Sequence, residues 1–152
     1  MTGTAAPGLA AAEQKFAIGR YRLPTPRVAF GTALVGVATA CIDVSDGLVA
    51  DLGHIAVASG IAATVMLEAF VWSAAVARAG PAYPEADRLT AGDDYELLFT
   101  APPDRRAAVE DIAAATGVPL QRIGRIEDGS GVRVLDRDGT ALAFERTGFR
   151  HR

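Results

Sequence analysis

Ile42-Asp43-Val44-Ser45-Asp46-Gly47 places two carboxylates and a hydroxyl where an apolar strand pattern, Thr39 to Val44, gives way to a helical one. Leu48, Leu52, Ile55 and Ala56 follow at i, i+4, i+7 and i+8, one apolar stripe that predicts a helix from about Gly47 to Ser59. Gly60 is the expected residue just past its end. Ser45 is the expected N-cap, and Asp46 in the first turn suits the helix dipole. Strand alternation puts Asp43 and Ser45 on one face, and the turn into the helix can bring Asp46 toward them. Hard carboxylate oxygens suit Mg²⁺, unpaired N–H groups at a helix start suit an anion, and Gly47 would let a phosphate approach the backbone. The run therefore reads as a phosphate or nucleotide site, with a plain helix cap followed by an acid as the structural alternative.

The strands and helices around this run define the layers. Leu9 to Gly19 carries apolar residues at helical spacing, and Tyr21 to Arg27, with Pro24 and Pro26, reads as an extended linker. Short helices are expected at Phe30 to Val37 and Val71 to Arg78, and an alanine-rich one from Arg105 to Thr116. Ile61 to Leu67, Tyr95 to Thr100, Leu120 to Ile126, Val132 to Asp136 and Thr140 to Phe144 read as strands, with Asp138-Gly139 turning the last pair into a hairpin. This order predicts an α/β (α+β sandwich) fold, helices packed on a mixed, largely antiparallel sheet.

Composition narrows the function. The 152 residues are 50% hydrophobic, enough for one core, and the net charge of -3 gives no basic field for nucleic acid. Val28 to Ile42 is too short to span a bilayer, and Met1 to Phe16 lacks the form of a secretory signal, so no membrane partner is expected. Cys41 is the only cysteine, which suits a reducing, cytoplasmic setting. Lys15 is the only lysine and no glycine-rich phosphate loop is present, so any phosphate chemistry relies on metal ions for charge neutralisation. His54 and His151 read as structural or solvated, and Trp72 beside Phe70 as core or interface.

A second acidic string, Gly92-Asp93-Asp94-Tyr95-Glu96-Leu97, precedes a hydrophobic strand. An Asx turn explains it without a ligand. Two acidic clusters at element ends in one small domain point instead to a shared polar site.

Ala40 to Leu48, Asp51-Leu52-Gly53-His54-Ile55 and Gly92 to Thr100 resemble, in order and spacing, the C-terminal half of the thiamine-monophosphate kinase family, within the aminoimidazole-ribonucleotide synthetase-like superfamily. Pro24 to Val28, Ile123 to Ile126 and Gly148-Phe149 extend the similarity over nearly the whole chain. The resemblance implies ATP- and Mg²⁺-dependent phosphorylation of thiamine monophosphate to thiamine diphosphate. It implies Asp43 and Asp46 as magnesium ligands, Ser45 as an ATP contact, Asp93 as a contact to the thiamine phosphate, and Phe149 packing on the thiamine rings. Asp93 stands where the family usually has Glu, and Arg150-His151-Arg152 replaces its usual Asp-His-Phe. Residues 1–27 are expected to be a helix and linker left from an interdomain connection, and 28–152 the C-terminal domain. The family's N-terminal ATP and metal domain is not represented, so an inactive half-site, completed by a separate N-terminal domain or accompanied by self-association, is expected. A non-catalytic or truncated binding module of the same fold, and a sibling synthetase, are the alternatives.

Overall fold

Antiparallel pairing of β1 (Ala40–Asp43) with β3 (Leu97–Thr100) sets Asp43 opposite Leu97 and Ala40 opposite Thr100, so both acidic strings leave this two-stranded sheet at the same end. The computed structural model describes residues 9–80, 83–144 and 148. A second sheet has the order β4 (Gly124–Glu127), β2 (Ala62–Met66), β5 (Gly131–Leu135), with β2 antiparallel to β4 and parallel to β5. Its central strand is continuously buried from Ala62 to Val65, as a strand covered on both faces must be. The sandwich expected from the sequence is thus present, its strands divided between two sheets.

Six α-helices accompany these strands among the described residues: α1 (Ala11–Arg22), α2 (Val28–Ala33), α3 (Leu48–Ser59), α4 (Ala74–Ala79), α5 (Glu85–Thr90) and α6 (Arg106–Thr116). Helix α3 buries Val49, Leu52, Ile55 and Ala56 and ends at Gly60 in the left-handed region. Its apolar stripe joins Val65, Leu67, Leu89, Leu98 and Val134 in the main core. A smaller core holds Phe30, Leu34 and Val109 between α2 and α6, with the Phe30 and Phe99 rings tilted 5.8 Å apart. Trp72 stacks on Phe70 at 5.0 Å and packs against the main core. Among the described residues, no helix is long and apolar enough to cross a membrane.

Three expectations are revised. Helix α1 buries none of its residues, and Phe16 remains 58% exposed, so its apolar positions face no core of the described chain. Residues 140–144 form no strand beyond a single bridge between Ala141 and Leu135, flanked by Asp136 N–H donating to Thr140 O and Leu142 N–H to Val134 O, while Asp136 Oδ1 accepts the Asp138 and Thr140 amides at the turn. Ser45 is not the cap of α3; Gly47 occupies that position, with no side-chain cap bond.

Helix α5 was not evident from the sequence, since Leu89 is its one fully buried residue. That side chain, 1% exposed, packs into the main core. Leu89→Ala is therefore expected to destabilise the chain by about 2–5 kcal/mol, read from urea denaturation.

Candidate functional site

The turn after β1 is organised by a residue six positions further on. Asp51 lies in the first turn of α3, 2% exposed, and its Oδ2 accepts the backbone N–H groups of Ser45, Asp46 and Gly47 at 2.9, 3.1 and 3.2 Å. A carboxylate at a helix start satisfies donors that the helix cannot, and the dipole favours its charge. These amides are therefore occupied by the protein's own anion and do not form a phosphate cradle. Gly47 has a different function from the one its sequence context suggested. At φ 117°, it lies where a Cβ would fall 2.7 Å from the Thr90 carbonyl, so it admits α5's last residue and not a ligand.

The second acidic string is strapped to this turn through the backbone. Val44 N–H donates to Glu96 O at 2.9 Å, Tyr95 N–H to Val44 O at 2.8 Å, and Asp93 N–H to Ser45 O at 2.9 Å. Gly92 makes the approach possible, because a Cβ there would meet the Ser45 carbonyl at 2.2 Å. Asp93 and Tyr95 both take left-handed backbone, at φ 68° and 51°, a conformation uncommon outside glycine. The Tyr95 hydroxyl donates to Asp93 Oδ1 at 2.9 Å, and this bond, followed by the Asp93 charge and to a smaller extent that of Asp43, raises the pKa of the phenol.

The sequence-predicted residues are placed accordingly. Asp43 is exposed at the end of β1, Ser45 and Asp46 are half-buried in the turn, and Asp93 is exposed on the facing loop. The structure brings the Ser45 and Asp93 backbones into direct contact and sets Asp43 and Asp93 around Tyr95. Gly148 packs against the Asp46 carbonyl and Ala50. Phe149 lies outside the described residues.

Asp46, Asp51 and His54 form a further group whose ligand-capable atoms all lie within 4.8 Å of one another. Sequence reasoning set His54 aside; its i+3 spacing from Asp51 on a helix was the available signal. Asp43 and Asp46 are both carboxylates with solvent access, hard oxygen donors of the type that suits Mg²⁺, and among the described residues the ligand-capable group holds Asp46 without Asp43.

Two carboxylates in the second string have opposite electrostatics. Burial alone would raise the Glu96 pKa, but Arg27, bonded at 2.8 Å through both Nε and Nη2, together with Arg20, lowers it below the ordinary 4.5. Asp94 keeps an exposed edge, yet desolvation of its carboxyl raises the pKa to about 6; Glu96 and Asp93 add to the shift and Arg20 opposes it. Arg20 and Arg27 thus fasten the N-terminal helix and linker to the acidic loop, with no sequence-local signal to announce it.

The sequence matches the family described as "AIR synthase related protein, C-terminal domain" over residues 8–137. The chain belongs to this family. It is 41% identical to the thiamine-monophosphate kinase of Salmonella typhimurium over 140 residues, which are 90% of this chain and 42% of that protein. The structure of thiamine-monophosphate kinase from Stenotrophomonas maltophilia K279a superposes with a TM-score of 0.79 at 44% identity, covering 91% of this chain and 43% of that one. AaThiL complexed with AMPPCP and TMP superposes with a TM-score of 0.75 at 32% identity, over 94% of this chain and 43% of that one. The family domain described here spans less than half the length of these relatives.

The Asp94 and Glu96 shifts give opposite pH dependences. Glu96 has a lowered folded pKa, so its stabilising contribution is present above the unfolded value near 4.5 and is lost as pH falls through the folded value. Asp94 binds its proton more tightly when folded, so its contribution to stability declines as pH rises from 3.8 through about 6. Carboxyl NMR is expected to place the Asp94 midpoint near 6, and Asp94→Asn to flatten the decline of stability across that window.

Proposed function

We propose that this domain is the C-terminal part of a thiamine-monophosphate kinase, contributing one wall of a site for ATP- and Mg²⁺-dependent phosphorylation of thiamine monophosphate to thiamine diphosphate. The observation that carries this reading is the backbone strap between Ser45 and Asp93, which places the two motifs shared with the kinases side by side. Asp43 and Asp46 are the proposed magnesium ligands, Ser45 the ATP contact, Asp93 the contact to the thiamine phosphate, and Phe149 the packing surface for the thiamine rings. Bound Mg²⁺ supplies neutralisation of polyphosphate charge.

The protein's own part is positioning. An acceptor that is already an anionic phosphate needs no strong base, so phosphoryl transfer asks these residues to orient two anions and keep them close. Because Asp51 occupies the amides of residues 45–47, charge compensation falls to the metal and to groups outside this turn. Asp93, one methylene shorter than the usual Glu, has its reach set by the Tyr95 hydroxyl that holds its Oδ1. Residues 1–27 are proposed as the interdomain connection and 28–152 as the domain proper. The free, exposed Cys41 suits a reducing cytoplasm.

Thiamine diphosphate formation from ATP and thiamine monophosphate, measured for the chain alone and after mixing with the N-terminal part of a thiamine-monophosphate kinase, tests the proposal. Turnover is expected to be negligible alone and restored by the mixture. Asp43→Asn or Asp46→Asn is expected to lower restored kcat roughly a hundredfold. Restored turnover that ignores both substitutions, or strong turnover by the chain alone, contradicts the shared site.

A further inference from the structure

Away from the acidic loops, the two sheets do not join. Among the described residues, β3 pairs only with β1, and β4 only with β2. Between them lies a cavity of about 530 Å³, bounded by β2, β3, β4, the start of α6 and residues 120–123. No residue of the Asp43–Gly47 turn or of the Gly92–Glu96 string lines it. Its size is within the range of small-molecule sites.

The lining has two chemical parts. Leu52, Val65, Leu98 and Val109 form its buried floor, and the half-buried Phe99 and Ile123 with the exposed Leu120 and Ile126 present apolar surface to it. Apolar side chains bordering a gap lack the close contacts they would have in a filled core, so an apolar body placed there supplies the missing dispersion and removes that surface from water. The lining also includes the exposed Arg106, Arg122 and Arg125 against one carboxylate, Glu110, in a chain whose overall charge is negative. Arg125 is held by Glu127 at 2.7 Å, whereas among the described residues no ion pair engages Arg106 or Arg122. Guanidinium groups bind oxyanions through paired N–H donors.

We infer that this cavity is a binding site, separate from the acidic loops, for a small anionic amphiphile whose apolar tail enters between the sheets and whose oxyanion head meets Arg106 and Arg122. The charge complementarity favours this occupant over a neutral apolar molecule.

Calorimetric titration of the full chain with decanoate, and with 1-decanol as the uncharged probe of equal tail length, tests the assignment. Decanoate is expected to bind saturably at one site, roughly tenfold more tightly than decanol. The double variant Arg106→Gln/Arg122→Gln, altered only at exposed positions, is expected to lose that advantage, and Ala101→Trp, which fills the space, to abolish binding. NMR shifts are expected on Leu98, Val109 and Ile126. Absence of saturable binding, equal affinity for decanol, unchanged decanoate affinity in the double variant, or shifts confined to other surfaces would each overturn the inference.

Discussion

One buried carboxylate oxygen organises the site: Asp51 Oδ2 gathers three consecutive N–H groups before α3. Without that acceptor, the chain would leave β1 with three donors unpaired beside the protein interior, a cost of about 1–3 kcal/mol for each buried donor. With it, the turn is held against its own helix, and its outward carbonyls are presented in a fixed direction. Val44 O and Ser45 O then accept from Tyr95 and Asp93, so the geometry of the first acidic loop sets that of the second. The left-handed backbone at Asp93 and Tyr95 is maintained by these two bonds and by the Tyr95–Asp93 side-chain contact.

This arrangement concentrates negative charge, and among the described residues Arg20 and Arg27 offset it at Glu96. Glu96 is the member of the string turned toward arginines, bound by Arg27 and Arg20 from the linker and α1. Asp43, Asp93 and Asp94 are exposed carboxylates of the same two loops, and desolvation of Asp94, with Glu96 and Asp93 adding and Arg20 opposing, raises its pKa to about 6. A surface of this kind gains most from a cation arriving with an anionic ligand, in keeping with the proposed magnesium–nucleotide chemistry. The N-terminal helix also gains a role here. It buries nothing, yet through Arg20 it is bound to the acidic loop, so changes in α1 can reach the site by charge alone.

Elements with strong periodicity were legible in the sequence. The Leu48–Ala56 stripe with Gly60 specifies α3, and the buried run Ala62–Val65 specifies β2, because burial on one face or two leaves a pattern in the residues themselves. Helix α5 lacks that pattern, since only Leu89 turns inward. The acidic strings were legible as a pair because both sit at element ends, but their physical linkage was not. Asp51 belongs to the readable helix, and nothing local shows that its carboxylate reaches back to residues 45–47 instead of facing solvent. Gly47 looked suited to a ligand; in the structure it and Gly92 admit neighbouring carbonyls, a long-range contact that spacing does not encode. Residues 140–144 have strand-like composition, yet among the described residues only the Ala141–Leu135 bridge forms, with the Asp136 side chain taking the Thr140 amide at the turn.

The central claim is that Asp51 holds the turn on which both acidic loops rest. Amide hydrogen exchange followed residue by residue by NMR, in the wild-type chain and in Asp51→Ala, tests it most directly. The account predicts slow exchange at Ser45, Asp46, Gly47, Asp93 and Tyr95 in the wild type. In the variant it predicts acceleration of these five amides by roughly a hundredfold or more, with Ala63 and Val65 of β2 retaining most of their protection. Fast exchange of the turn amides in the wild type, or their unchanged protection in Asp51→Ala, would contradict it.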